Sequence, residues 1–232
     1  MYDLPSEDPQ EPGLPDEFHD YQPEVLRLTF CPPNYSPDQV FSGSDLNLYY
    51  DIRHANWYKR PDWFGVVGVP RLYDGQDLRL SYVIWQEGVS PNLVVELLSP
   101  GTEREDLGQT SQEPGTPPSK WQVYEQILRV PYYVVFDRYT DQTRFFQLVG
   151  DRYAQLGLSQ PRLWLPSVEL GLGLWQGTYQ GITRQWLRWY DAEDNWIPLP
   201  AEKIEQAEQR AISAEQKANQ LAQRLRELGI EP

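Results

Sequence analysis

The sequence predicts a mixed α/β (α+β) domain, a central mixed β-sheet with flanking helices, followed by a C-terminal heptad-patterned helix. Three observations carry this. The runs at 92–99 (NLVVELLS) and 132–137 (YYVVFD) are apolar at nearly every position, as in strands covered on both faces. Between them, Trp121, Tyr124, Ile127 and Leu128 recur at helical spacing, which makes a βαβ unit with both strands central in the sheet. Beyond residue 200, apolar residues recur at alternating intervals of three and four.

Taken in order, residues 1–24 hold eight acids, no Lys or Arg and several prolines, and are expected to form an acidic, Pro-rich, loosely docked arm. Strands are expected at 25–30 (VLRLTF), 46–50 (LNLYY), 63–69 (WFGVVGV), 79–85 (RLSYVIW) and 92–99, each short and bounded by Pro, Gly, Asp or Asn. The polar stretch 101–119 reads as a loop. Ser119 is placed to cap a helix over 120–130, which Pro131 ends. Strands follow at 132–137 and 143–149, and 150–200 holds short strands and a hairpin in WLRWYDAEDNWIPL. Residues 25–200 therefore form the main domain. In 201–232, Ile204, Ala207, Ala211, Ala214, Ala218, Leu221, Leu225 and Leu228 form an unbroken heptad seam, and Gly229 stops the helix. The seam suits a coiled coil with other copies or a helix folded onto its own domain. Association is favoured, because Glu, Gln, Lys and Arg fill nearly every other position, so a homo-oligomer through 201–228 is expected.

Composition narrows the function. One cysteine, Cys31, excludes a disulfide framework and a cysteine zinc site. The two histidines, His19 and His54, match no metal-ligand spacing. No charged-then-apolar leader opens the chain and no apolar run reaches membrane-spanning length, so a soluble, cytoplasmic protein without a membrane partner is expected. The net charge of −14 argues at first against nucleic acid. Most of it lies in the arm, and 25–200 carries only −5.

The chemistry centres on Glu96. An ionised carboxylate inside an apolar strand is costly unless a cation or several donors compensate it. Asp62 sits just before another apolar strand, and Lys120 opens the helix that follows. Carboxylates on adjacent strands suit a hard divalent cation, which takes oxygen ligands. The bland alternatives are a turn residue for Asp62, an ion pair with an Arg for Glu96 and a solvated first-turn side chain for Lys120.

The order RPD before an apolar strand, then LVVELLSPGTEREDLG, then KWQVYEQILRVPYYVVFD, resembles the Uma-type putative restriction endonuclease family of the PD-(D/E)XK nuclease superfamily, over about 45–137 and more loosely to about 200. The resemblance implies a restriction-endonuclease-like core and a metal-dependent endonuclease acting on nucleic acid, with DNA favoured over RNA. It implies Mg²⁺ or Mn²⁺ held by Asp62, Glu96 and the backbone carbonyl of Leu97. In the superfamily's Glu-x-Lys arrangement the lysine would stand at 98, where this chain has Leu98. The resemblance moves that role to Lys120, four residues before Tyr124, as the third catalytic residue. Fourteen positions separate Asp106 from Lys120, so QTSQEPGTPPS reads as an insertion. Asp106 and Glu103 are candidate supporting acids, and Ser99 a turn or cap residue. Asp45 and Asp51 are a further possible ligand pair or strand-edge residues. His54 is a supporting group or an exposed loop residue. Tyr49, Tyr50, Trp57, Tyr58 and Trp63 are base-stacking candidates or packing residues. The competing reading is a catalytically inactive nuclease-fold oligomer used for binding or as a scaffold. Its grounds are the acidic balance, Leu98 and the heptad tail.

Overall fold

The computed structural model describes residues 16–99, 101–110 and 115–227. Helix α1 (Glu17–Thr29) comes first, followed by strands β1 (Val40–Gly43), β2 (Leu48–Tyr49), β3 (Tyr58–Lys59), β4 (Trp63–Val67) and β5 (Tyr82–Val83). A helical turn α2 (Ile84–Glu87) leads into β6 (Leu93–Leu97). Two short helices follow, α3 (Glu103–Asp106) and α4 (Lys120–Gln122), and α4 runs on as a π-helical turn, Val123–Ile127. Then come β7 (Tyr132–Asp137), β8 (Gln142–Val149), β9 (Arg152–Gln155), β10 (Arg162–Leu165), β11 (Leu170–Tyr179) and β12 (Ile182–Tyr190). The last element is α5 (Pro200–Glu227). The chain divides into two compact units between Ile197 and Pro198.

The main sheet has the order β1-β4-β6-β7-β8-β9. Only β6 and β7 pair in parallel; the other neighbours are antiparallel, so the sheet is mixed, as the sequence predicts. β6 is buried along its whole length and β7 at all but its last residue, because each face of the sheet is covered. Leu93, Val95 and Leu97 point into a core built with α1 and the antiparallel sheet β10-β11-β12. Val94 and Leu98 point the other way, into a core closed by Val123, Tyr124 and Leu128 and by the small sheet β3-β2-β5.

Several local expectations change. Residues 25–30 are not a strand: 25–29 complete α1, and Phe30 caps it. Their alternation misleads because the helix buries Phe18, Gln22, Val25, Leu26 and Thr29, a spacing that runs back before 25 to an N-cap at Asp16. Pro23 lies inside the helix and removes one N–H donor, which hides the pattern. Of the expected arm, residues 1–15 lie outside the described residues, whereas 16–24 cap and build α1. The run 46–50 contributes only Leu48 and Tyr49 to the small sheet, and 79–85 contributes Tyr82 and Val83 before turning into α2. The loop 101–119 contains α3.

Gln22 anchors α1. It is fully buried against β12, an edge strand. Its Nε2 donates to the Leu187 carbonyl at 2.9 Å, and its Oε1 accepts from the Leu187 N–H at 2.8 Å. One amide side chain thus completes the strand edge as a further strand would. Gln22→Leu leaves both backbone groups buried and unpaired, at a cost of about 1–3 kcal/mol each. The midpoint of thermal unfolding is expected to fall by roughly 5–10 °C; an unchanged midpoint would show that the bridge contributes nothing.

The second unit holds α5, with Pro200 at its first position and the Glu202 carboxylate accepting from the Leu199 N–H at 2.8 Å. Leu228 and Gly229, the expected end of the seam, lie outside the described residues. No described helix is long and apolar enough to cross a membrane.

Candidate active site

The alternation of β6 aims Glu96 at the same face as Val94 and Leu98, towards α4. β4 runs antiparallel beside β6 with Trp63 opposite Val95, so Asp62 stands one step further along, next to Glu96. Asp62 Oδ2 accepts the Leu97 N–H at 2.6 Å, and the Asp62 N–H reaches Glu96 Oε2 at 3.4 Å. The two carboxylates therefore share one end of the sheet, Glu96 fully buried and Asp62 half-buried.

Lys120 arrives at the start of α4. α4 starts with a capping box in which Ser119 accepts from the Gln122 N–H and the Gln122 side chain accepts from the Ser119 N–H. The Lys120 N–H donates to Glu105 Oε1 at 3.0 Å, and Lys59 Nζ meets the same oxygen at 2.9 Å, which ties the helix start to α3 and β3. Lys120 Nζ lies 2.9 Å from Glu96 Oε2 and 3.0 Å from Asp106 Oδ1. The π-helical turn brings the Tyr124 hydroxyl to within 2.8 Å of Glu96 Oε1, to which it donates.

Glu96 and Asp106 thus pair with one ammonium, and Asp62 stands beside Glu96, near enough for its charge to act on the same group. Burial pushes Glu96 well above the usual carboxylate range, and Asp106 and Asp62 add to this against the pull of Lys120. Asp106 is raised mainly by burial too. For Lys120, burial works against the charged form but attraction to Glu96, Asp106 and Asp62 outweighs it, so its pKa lies well above the ordinary lysine value. With all three carboxylates ionised, the cluster carries two negative charges more than Lys120 neutralises.

A cleft of about 310 Å³ opens on this cluster, lined by His19, Asp62, Leu97, Thr102 and Lys120 among others. His19 on α1 places Nε2 3.2 Å from the Leu97 carbonyl oxygen, and its Nδ1 lies 2.9 Å from Asp16 Oδ1. Asp16 also pairs with Arg138 at 2.5 Å. Burial disfavours the imidazolium, but the hydrogen bond to Asp16 and the charge of Asp62 outweigh that, and the His19 pKa is raised. His19 is the site residue that sequence spacing misses. Its trace is the Asp16–His19 interval of three at a helix start. A larger cleft, about 460 Å³, lies by the end of α1 and β1 and has no carboxylate in its lining.

A family model, Uma2, described as a putative restriction endonuclease, matches residues 5–183. The chain belongs to the Uma2 family. No curated protein matches it. The Uma2 match takes in Asp62, Glu96, Leu97 and Lys120 and stops before α5. Its description points to a nuclease, hence to a nucleic acid as substrate.

The other sequence candidates fall into place around this Uma2 site. Asp45 lies on the cleft with its Oδ2 2.6 Å from Arg60. Asp51 lies away from it, where it caps the turn 52–54 and holds Arg53 and His54. His54 stacks on Trp57. Tyr58 lines the cleft and is 43% exposed, Trp63 is core, and Glu103 is exposed on α3. The Ser99 carbonyl accepts from the Thr102 and Glu103 N–H groups, a turn role. Among the described residues, no three or more His, Cys, Asp and Glu side chains stand together as a metal-holding group.

Proposed function

We propose that this protein is a Mg²⁺- or Mn²⁺-dependent endonuclease that hydrolyses phosphodiester bonds of DNA at the Asp62–Glu96 cleft. The observation that carries this reading is the excess of carboxyl groups, Asp62, Glu96 and Asp106, over the single Lys120 ammonium, with Asp62 and Lys120 lining a cleft and Glu96 and Asp106 buried beneath it. The donors fit a hard divalent cation: two carboxylates and the Leu97 carbonyl supply oxygen, and the remaining positions can be filled by water and phosphate. When bound, such a cation activates water and offsets charge on the phosphate. Asp62, half-buried on the cleft, and Glu96 beneath it would hold it with the Leu97 carbonyl. Lys120 stays protonated, and its charge opposes the rise that burial imposes on the Glu96 carboxyl. The Lys120 side chain, 15% exposed, lines the cleft, where the ammonium can offset charge developing on the phosphate.

His19 positions the Leu97 carbonyl in this scheme. His19→Gln is expected to weaken Mn²⁺ binding about 10–100-fold in calorimetry, the usual cost of losing a group that orients a ligand. Equal affinity would remove His19 from the site.

A second reading rests on one observation: both Glu96 oxygens are engaged, one by Lys120 and one by Tyr124. A closed arrangement of that kind suits an inert nuclease fold used for binding. A panel of single- and double-stranded DNA and RNA, with Mg²⁺, Mn²⁺ or chelator, separates the two. The proposal expects cleavage of DNA only with metal. Cleavage indifferent to chelator would overturn it, and no cleavage together with no heat of metal binding would favour the inert fold.

A further inference from the structure

We infer that α5 pairs with the α5 of a second copy in a parallel, in-register coiled coil. The seam is unpartnered within the unit: Ile204 and Leu221 are 62% and 64% exposed, and the alanines between them are exposed as well. With Ile204 at position a and Ala207 at d, the positions flanking the seam sort by charge. Every g position is basic: Lys203, Arg210, Lys217 and Arg224. The e positions of the first two full heptads are acidic, Glu208 and Glu215. No ion pair within α5 joins these charges among the described residues.

This segregation selects an orientation. In a parallel pair each g side chain faces the e side chain five residues on in the partner helix. Lys203 then meets Glu208 of the second copy, and Arg210 meets Glu215, twice over by symmetry. In an antiparallel pair g faces g and e faces e, so the basic row would meet itself and the acidic row would meet itself. Charge complementarity therefore names both the occupant, a second copy of this chain, and its direction. The alanines of the seam let the axes approach closely at the end where these ion pairs form, and Leu221 and Leu225 supply the larger apolar contact beyond them.

Orientation has a consequence that rests on the nuclease reading. In a parallel pair both chains enter the coil at Pro200, at the same end. An antiparallel pair would separate the entry points by the helix length, about 42 Å for 28 residues. The parallel coil thus brings the points where two cleavage units join their helices to one end, an arrangement that suits cutting both strands of a duplex.

Light scattering on the full chain tests the pairing without reference to activity, so a failed nuclease reading would leave it standing. Wild type is expected at twice the 27.1 kDa chain mass. Glu208→Lys with Glu215→Lys is expected to shift it to monomer at concentrations where wild type is dimeric, as is Lys203→Glu with Arg210→Glu. An equimolar mixture of the two variants is expected to restore the dimer. The direction is tested by thiols in a Cys31→Ser background. Leu221→Cys is expected to cross-link to itself on mild oxidation, and a mixture of Ile204→Cys and Leu221→Cys, an a and a d position that an antiparallel pair would set opposite each other, to give no disulfide between the two positions. A monomeric wild type, charge variants that stay dimeric, or a disulfide joining positions 204 and 221 would each overturn the inference.

Discussion

Asp62→Asn and Glu96→Gln are each expected to lower metal-dependent DNA cleavage on the order of 10³-fold. A metal ion supplies several kcal/mol of charge stabilisation in such a reaction, and each 1.4 kcal/mol is tenfold in rate. The amide substitutions are chosen over alanine for a structural reason. Glu96→Ala would leave the Tyr124 hydroxyl without its acceptor and Lys120 with Asp106 alone, so lost activity could reflect lost folding. Glu96→Gln keeps the size of the side chain and an oxygen for Tyr124 while removing the charge. Asp62→Asn likewise keeps an acceptor for the Leu97 N–H. Wild-type thermal midpoints with lost cleavage would assign the carboxylates to chemistry. Activity persisting in both variants would refute the assignment.

Lys120→Met is expected to destabilise the fold even though it adds apolar surface. Removing one partner of a buried ion pair costs about 3–5 kcal/mol, because it strands the other charge. Here it strands two, Glu96 and Asp106. The midpoint is expected to drop by roughly 10 °C. The pH dependence has a definite sign. Glu96 and Asp106 both have folded pKa values raised above their unfolded ones. Stability linked to such groups is fully present below the ordinary carboxylate range and is lost as pH rises through the raised values. Without the ammonium those values rise further, so the deficit of Lys120→Met is expected to shrink in acid and widen towards neutral pH. A deficit that is flat with pH would mean that the stranded carboxylates are not its cause.

The parts of this protein that were legible in its sequence are those where a local pattern and the tertiary result agree. β6 and β7 read as doubly buried because every position is apolar save Glu96 and the terminal Asp137, and they are the parallel pair of the sheet. Ser119 read as a cap because its helix begins in isolation after a polar stretch. Asp62, Glu96 and Lys120 could be named because a buried carboxylate and the order of the surrounding motifs point to them. Their spacing in the fold could not be foreseen, least of all that of Lys120, which reaches Glu96 only because Glu105 and the capping box fix where α4 begins. α1 was hidden by Pro23 and by a β-like alternation at its end. His19 was hidden because its partner in the site is a backbone carbonyl 78 positions away, which leaves no mark on side-chain spacing. The two-residue strands of the small sheet follow from what they cover, not from their own propensity.

The central claim, that Asp62 and Glu96 hold a catalytic cation, is met most directly by calorimetric titration of Mn²⁺ into the wild-type protein and into Asp62→Asn. The account predicts a saturable heat at one class of site in wild type and its loss in the variant. A wild-type protein that gives no heat, or a variant that binds Mn²⁺ as tightly as wild type, would contradict it.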